Sequence, residues 1–76
     1  MSSSLPVQLR ALRGRRGWTL FEAARKIGTT PDNLSRLERG MRHPRAATLK
    51  KLADTYGVNL ETLLSQDLED RAPLAV

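Results

Sequence analysis

The chain has 76 residues, which is enough for one small domain but not for two separate hydrophobic cores. It contains no cysteine and one histidine, so disulfides, thiolate or paired-histidine metal sites and cysteine nucleophiles are excluded, and we expect no cofactor. Thirteen Lys and Arg residues against eight Asp and Glu residues give a net charge of +5, which favours a polyanionic partner.

The charge is distributed unevenly along the chain. Residues 1–45 contain ten basic and three acidic residues, whereas residues 46–76 contain three basic and five acidic ones. A basic first part joined to a weakly acidic second part favours an oriented molecule, one side of which faces a polyanion. The alternative is a solubilising surface whose asymmetry arose by chance.

Other features narrow the class of protein. The apolar runs are too short to span a membrane, and the first four residues lack the basic and apolar regions of a signal peptide. Three aromatic residues are too few for the stacking platforms that bind single-stranded nucleic acid. We therefore expect a basic intracellular domain.

Hydrophobic periodicity predicts five short helices and gives no convincing strand. In the first helix, Leu5, Leu9 and Leu12 recur at helical spacing. Pro6 suits the first turn of this helix, and Gly17 suits its end.

The second helix begins with a capping box, in which the Thr19 hydroxyl and the Glu22 carboxylate satisfy backbone amides reciprocally. Gly28 ends the helix as a left-handed C-cap residue. The inward positions follow the spacing i, i+3, i+4 and i+7, and they are Leu20, Ala23, Ala24 and Ile27.

The third helix begins almost at once, with Thr30 as its N-cap and Pro31 as its first residue. Leu34 and Leu37 form its inner face, and Gly40 stops it.

Two further helices complete the predicted bundle. The fourth covers residues 46–56 and is followed by Gly57, and Asn59 caps the fifth. Their inward side chains are Leu49, Leu52, Ala53 and Tyr56, followed by Leu60, Leu63 and Leu64. We expect residues 1–5 to be flexible, residues 6–66 to form the domain, and residues 67–76 to be flexible or to contact a partner.

The junction between the second and third helices is the most informative segment. The two helices meet across Gly28-Thr29-Thr30, a connection so short that the chain must turn sharply. Ala24 provides the small side chain that a close helix crossing needs. The residues spaced to fill the angle between the helices are Ile27, Leu34 and Leu37. This pattern predicts a helix-turn-helix, and the alternative is an ordinary corner in a helical bundle.

A longer pattern runs through most of the chain. Its segments are Leu9-Arg-Ala-Leu-Arg13, Arg16-Gly-Trp-Thr19, Glu22-Ala-Ala24, Ile27-Gly-Thr-Thr30, Leu34-Ser-Arg-Leu-Glu-Arg-Gly40, Pro44, Thr48-Leu-Lys-Lys-Leu-Ala53, Tyr56-Gly-Val58 and Leu63-Leu64. Through them, residues 6–66 resemble the phage repressor/Cro-type helix-turn-helix domain, also called the xenobiotic-response-element family. The resemblance implies an all-α fold, a compact five-helix bundle of the lambda-repressor type, and binding to double-stranded DNA.

From the same resemblance we expect a sequence-specific transcriptional repressor in the cytoplasm, associated with a prokaryotic nucleoid or encoded by a phage. Helix 31–39 would lie in the major groove with its N-terminal end toward the bases. The residues implied to contact bases are Pro31, Asp32, Asn33 and Arg36. Arg36 suits guanine, and Asn33 suits adenine or a phosphate. Asp32 suits the cytosine amine or only stabilises the helix N-terminus, and Pro31 suits a thymine methyl group.

Phosphate contacts would position the domain rather than read sequence. The residues implied to make them are Thr19, Thr30, Ser35, Arg39, Arg42, His43 and Arg45. For the arginines the alternative is a solvated side chain, and for His43 it is an ordinary surface position. The family commonly has a phosphate-binding glutamine at the position of Leu20, so one anchor is missing, and Arg15 or Arg16 is the substitute we consider.

Ala23 stands where the family usually has leucine, which leaves space in the core. We expect Trp18 or Phe21 to fill this space. The alternative is that Phe21, at a position that is usually charged in the family, marks a contact surface.

Arg13 and Glu38 match a pair of charged residues that in the family links the first helix to the end of the third. If the two are buried together, their attraction orients the recognition helix, and removal of one partner destabilises the fold. The alternative is two unrelated surface charges.

A single module of this size gives a small DNA interface, so we expect a homodimer on a two-fold operator. The dimer contact would come from the fifth helix, from the loop near residues 57–59, or from the tail with Leu68 and Leu74. Two other functions stay open: an antitoxin or controller-type regulator whose C-terminal half binds a protein partner, and a protein-interaction module without DNA binding. An enzyme is not expected, because the sequence offers no nucleophile–base pair.

Overall fold

The computed structural model describes residues 4–71, which form five α-helices and no strand. The helices are α1 (Leu5–Arg16), α2 (Leu20–Ile27), α3 (Pro31–Glu38), α4 (Ala46–Tyr56) and α5 (Leu60–Arg71). This architecture confirms the predicted all-α bundle of five helices. Residues 1–3 and 72–76, which belong to the two ends predicted to be flexible and include Leu74, lie outside the described residues. Within residues 4–71, no helix has both the length and the apolar character needed to cross a membrane.

Side-chain caps begin α2 and α3 at the predicted residues. The Thr19 hydroxyl accepts a hydrogen bond from the Glu22 amide, and the Glu22 carboxylate accepts one from the Thr19 amide, both at 3.1 Å. The bond from the Thr19 amide lowers the pKa of the Glu22 carboxyl, because it favours the charged form. The Thr30 hydroxyl accepts from the Asn33 amide at 3.1 Å and thereby starts α3.

The turn between α2 and α3 depends on glycine. Gly28 follows α2 with a φ of +90°, a left-handed conformation that residues with a side chain rarely adopt. Its amide donates to the Ala24 carbonyl at 2.8 Å and so closes the helix. Only Thr29 and Thr30 separate Gly28 from α3, so the chain changes direction sharply, as predicted for a helix-turn-helix.

The angle between α2 and α3 is filled by the predicted apolar side chains. Ile27, Leu34 and Leu37 are all buried, and Ala24 at the crossing is 1% exposed. A larger side chain than that of Ala24 would force the two helices apart. The rest of the core comes from α1, α2, α4 and α5 and consists of Leu5, Leu9, Leu12, Ala23, Leu49, Leu52, Ala53, Tyr56 and Leu63.

Helix α5 extends beyond the end predicted for the domain at residue 66. Asn59 caps its start as predicted, but the helix continues to Arg71. Asp67 is buried, and the Asp70 carboxylate accepts a hydrogen bond from the Leu5 amide at 2.8 Å. This bond satisfies an amide at the start of α1 that has no partner within its own helix. The last turns of α5 are therefore attached to the N-terminal helix.

Trp18 and Phe21 lie in different environments. Trp18 packs against the core and stacks on the Tyr56 ring, with 5.8 Å between ring centroids. Phe21 is 76% exposed, so the expectation that it fills the space beside Ala23 is wrong. The reason is helical phase: Ala23 and the other inward positions of α2 turn Phe21 toward solvent.

Tyr56 places a polar group inside the core. It is the single tyrosine of the chain and is 2% exposed. Burial raises the pKa of its hydroxyl to about 12, and the Glu38 carboxylate adds to the rise, because both disfavour tyrosinate. The hydroxyl oxygen is buried and has no hydrogen-bond partner among residues 4–71, a state that costs stability.

A pH titration of tyrosinate absorbance checks this environment. In the folded protein we expect a midpoint near pH 12, rather than the value of about 10 typical of an unfolded chain. Because the raised pKa belongs to the folded state, the contribution of Tyr56 to the free energy of unfolding is complete below about pH 10 and is lost as the pH rises through about 12.

The Tyr56→Phe variant is the control, since it removes the only phenol. It should show no absorbance change, and at neutral pH it should be as stable as the wild type or up to about 1 kcal/mol more stable. A midpoint near pH 10 in the folded protein would contradict the buried position of the hydroxyl.

Candidate nucleic-acid interface

A buried ion pair attaches the C-terminal end of α3 to α1. The Glu38 side chain is 3% exposed, and its carboxylate accepts hydrogen bonds from Arg13 Nε at 2.7 Å and Nη2 at 2.9 Å. The bond to Glu38 raises the pKa of the Arg13 guanidinium. Arg13 Nη1 also donates to the Trp18 carbonyl at 2.9 Å. This bidentate contact joins the predicted pair and fixes the angle between α1 and α3.

The outward face of α3 carries an acidic and a basic side chain, one helical turn apart. The side chains of Asp32 and Arg36 are 74% and 51% exposed, whereas Leu34 between them is fully buried. The Arg36 guanidinium lies 3.3 Å from the Asp32 carboxylate. The pair is exposed and contributes little stability, but it restrains the direction of the Arg36 side chain.

The other two predicted base contacts are less accessible. Pro31 and Asn33 are half-buried. Asn33 Nδ2 donates to the Thr29 hydroxyl at 2.7 Å, and Asn33 Oδ1 is buried with no hydrogen-bond partner in the part of the chain described. In this conformation the Asn33 amide is engaged within the turn, and it reaches a base only if it leaves Thr29.

A run of exposed arginines begins in α3 and ends at α4. Its members are Arg36, Arg39, Arg42 and Arg45. Arg13 neutralises the buried Glu38, so Asp32 is the one exposed acid within residues 31–45. The resulting surface is basic and attracts polyanions.

A polar groove separates α3 from the start of α4. It is lined by Asn33, Leu37, Arg42, His43, Pro44, Arg45 and Thr48. No side chain caps the N-terminus of α4 at Arg45, so the first amides of this helix have no side-chain acceptor. Two guanidinium groups beside such a helix start suit an anionic group such as a phosphate.

His43 links this groove to α5. Its side chain is 48% exposed, and its Nδ1 lies 3.6 Å from an oxygen of the buried Asp67 carboxylate. The contact places Nδ1 of the ring next to a carboxylate of α5. His43 is therefore at the surface, as predicted, but its orientation is set by α5.

The remaining predicted phosphate contacts also lie at or near the surface. Thr19 and Thr30 are exposed, and their hydroxyl oxygens accept the capping hydrogen bonds, which leaves each hydroxyl proton available to an anion. Ser35 is half-buried. Arg39 is exposed and bends back so that its Nε donates to the Ser35 carbonyl at 3.4 Å.

The position of Leu20 contributes no polar anchor. Leu20 is half-buried and packs against the core. Arg16, one of the two substitutes considered, donates to the Tyr56 carbonyl at 2.7 Å and lies 5.5 Å from the centre of the Trp18 ring. Both arginines are exposed, but the guanidinium of Arg16 is engaged within the protein.

The exposed side chains of this surface suit the binding of an anion. Among residues 4–71 no group of three or more His, Cys, Asp or Glu side chains is placed to hold a metal ion. The exposed groups are guanidinium, hydroxyl and imidazole donors, and they border a helix whose outer face is accessible. Such donors match phosphate oxygens and the acceptor atoms of base edges.

Two features of this surface were not predicted from the sequence. The Asp32–Arg36 pair follows the i, i+4 rule for helices, so the spacing alone was sufficient to indicate it. The cleft between Phe21 and Pro31 depends on how α2 meets α3, and no local pattern indicates it.

Comparisons with known proteins agree with this geometry. A family model described as a helix-turn-helix domain matches residues 5–66. The chain is 41% identical over 64 residues to the HTH-type transcriptional regulator ImmR of Bacillus subtilis, a match that covers 84% of this chain and 50% of ImmR. It is also 41% identical over 58 residues to the HTH-type transcriptional repressor RghR of the same species, covering 75% of this chain and 43% of RghR. The chain thus spans about half the length of these relatives or less.

The fold is also similar to a solved structure. The crystal structure of the clp gene regulator ClgR from C. glutamicum superposes with a TM-score of 0.71 at 29% sequence identity. The match covers 90% of this chain and 88% of the ClgR chain.

The Arg13–Glu38 pair can be tested by chemical denaturation followed by Trp18 fluorescence. Arg13→Met should lower the free energy of unfolding by about 3–5 kcal/mol, because the Glu38 carboxylate stays buried without its counter-charge. Replacing both residues with Met should recover most of this loss, since no buried charge remains.

Arg10→Met, at an exposed position of the same helix, is the matched control and should change the free energy of unfolding by less than about 0.5 kcal/mol. A loss below about 1 kcal/mol in Arg13→Met would mean that the pair behaves as an ordinary surface salt bridge.

Proposed function

The chain belongs to the helix-turn-helix domain family, and we propose that it is a transcriptional regulator that binds double-stranded DNA with α3 in the major groove. The observation that carries the proposal is the accessible outer face of α3, where Asp32 and Arg36 project from a helix held by the Arg13–Glu38 pair. The relatives named as HTH-type transcriptional regulators support the same function.

Base recognition centres on Arg36 in this proposal. Its guanidinium donates to O6 and N7 of a guanine in the major groove. Asp32 orients that guanidinium from 3.3 Å away and accepts from the amino group of a cytosine. Pro31 offers apolar contact to a thymine methyl group, and Asn33 takes part only after its amide leaves Thr29.

Phosphate contacts hold the domain on the duplex without reading its sequence. The best supported are those of Arg42 and Arg45, since both line the groove at the uncapped start of α4. His43 lines the same groove, with its Nδ1 facing Asp67. The full proposed set is Thr19, Thr30, Ser35, Arg39, Arg42, His43 and Arg45.

A homodimer on a two-fold operator follows from the small size of a single interface. Its two α3 helices would enter major grooves about 34 Å apart on one face of the DNA. Helix α5 is the candidate contact, because Leu68 is 65% exposed and lines a groove together with Leu64. The simplest regulatory output is repression, in which the bound protein occupies a promoter. The similar protein RghR is named a repressor. Binding to a promoter places the protein in the cytoplasm.

Repeated selection of bound duplexes from a random pool tests the proposed function. We expect enrichment of inverted half-sites with a guanine at one fixed position, and the half-site spacing reports the dimer. If the chain retards no duplex at low salt, DNA binding is contradicted and a protein-interaction module is favoured. If it binds DNA only together with a protein purified from its host, an antitoxin or controller-type regulator is favoured.

Two substitutions separate base recognition from phosphate attraction. Arg36→Ala should lose about 1–3 kcal/mol of binding free energy at the selected site and relax the preference at one base pair. Arg42→Ala should weaken binding to all sequences alike and reduce the slope of log affinity against log salt concentration by about one.

Competition titrations with cognate and random duplexes at several salt concentrations measure both effects. Lys50→Ala, at an exposed cation on α4 outside the proposed contacts, is the control and should change neither quantity. Identical behaviour of the Arg36 and Arg42 variants would refute the division of roles.

A further inference from the structure

An apolar cleft lies between the first turns of α2 and the start of α3. It is lined by Phe21, Glu22, Arg25, Thr29 and Pro31 and has a volume of about 360 Å³. Phe21 forms its most accessible wall, with 76% of the residue exposed. Thr29 and Pro31 flank the start of α3, so the cleft lies at the N-terminal end of the helix that carries Asp32 and Arg36.

The walls of the cleft combine apolar surface with two opposite charges, those of Arg25 and Glu22. Phe21 and Pro31 present two rings that offer apolar contact and no side-chain donor. Arg25 is exposed and supplies a guanidinium at the same cleft. The carboxylate of Glu22 is engaged 3.1 Å from the Thr19 amide in the cap of α2. The cleft therefore suits a ligand that has both C–H surface and a negative charge.

The geometry points to a site for one DNA nucleotide at the outer flank of the sequence that α3 reads. Arg25 pairs with the phosphate of this nucleotide, and Phe21 and Pro31 pack against its apolar surface, which is either the sugar or the 5-methyl group of a thymine. The inference rests on the proposed function and deepens it, because it extends the contact with DNA beyond α3 and its phosphate anchors.

Two observations favour DNA over a protein as the occupant. Pro31, which lines the cleft, directly precedes Asp32 in α3, so a duplex seated on the outer face of that helix would reach the edge of the cleft. Residues 1–45 also carry ten basic against three acidic residues, a balance that suits a polyanion.

The main test is the affinity of the full chain for its selected duplex, measured by fluorescence anisotropy. Phe21→Ala should weaken binding about tenfold, because most of the apolar contact is lost. Val7→Ala is the matched control, since Val7 is another exposed apolar residue, 59% exposed on α1, and it should leave the affinity unchanged. Both side chains lie outside the core, so circular dichroism and thermal midpoints of the two variants should equal those of the wild type.

Further arms of the experiment identify the surface that Phe21 touches. Replacing each flanking thymine with deoxyuridine removes one methyl group. If the wild type then loses about threefold in affinity at one position and Phe21→Ala does not, the contact is assigned to that methyl group. Weaker binding by Phe21→Ala without any effect of deoxyuridine assigns it to the sugar. In either case Arg25→Ala should reduce the slope of log affinity against log salt concentration by about one.

The outcomes separate this inference from the proposed function. If Phe21→Ala binds as tightly as the wild type to a duplex that Arg36→Ala binds weakly, the cleft does not hold DNA, whereas the proposed function stands. Unchanged DNA affinity together with loss of a protein contact would assign the cleft to a protein and also overturn the inference. If the wild type binds no selected duplex, both the inference and the proposed function fail.

Discussion

The orientation of α3 depends on the pairing of Arg13 with Glu38. Helix α3 has eight residues, and an isolated helix of that length is not stable in water, so tertiary contacts must hold it. Leu34 and Leu37 supply apolar packing, which has little directionality. Two hydrogen bonds from one guanidinium to one carboxylate do have a direction, because they fix the plane of both groups. The pair thus determines which way the outer face of α3 points, even if it adds little net stability.

The sequence predicted those parts of the fold that depend on residues within one helical turn. The capping box at Thr19, the turn at Gly28 and the bounds of α4 all follow from such local rules. The end of α5 does not, because its last turns are held by the bond between Asp70 and Leu5, residues that are 65 positions apart. Phe21 shows a second limit of prediction from sequence. The helical phase of α2 places its side chain in solvent, whereas the small side chain of Ala23 suggested that Phe21 fills the core, and the second argument was wrong.

In the candidate site, the sequence pattern indicated which residues lie near the surface but not which of them already have partners. Asn33 is engaged with Thr29, and Arg16 is engaged with the Tyr56 carbonyl 40 positions away. Each of these side chains has several rotamers, and packing against other helices selects one of them. The accessible donors on the α3 surface are therefore fewer than its composition implies, and Arg36 is an exposed donor whose partner, Asp32, is itself exposed.

Asp32 then needs an explanation, because an exposed acid within a basic surface weakens attraction to every duplex. In the proposed function it is explained by discrimination. An arginine on its own can turn toward the nearest phosphate, whereas Arg36 is restrained by the carboxylate 3.3 Å away, and Asp32 itself repels a phosphate at that position. The arginines at residues 39, 42 and 45 supply sequence-independent attraction from the flank of α3. In this proposal, affinity and sequence discrimination reside on different parts of one surface, and the attachment of α3 through the Arg13–Glu38 pair holds those parts in a fixed relation.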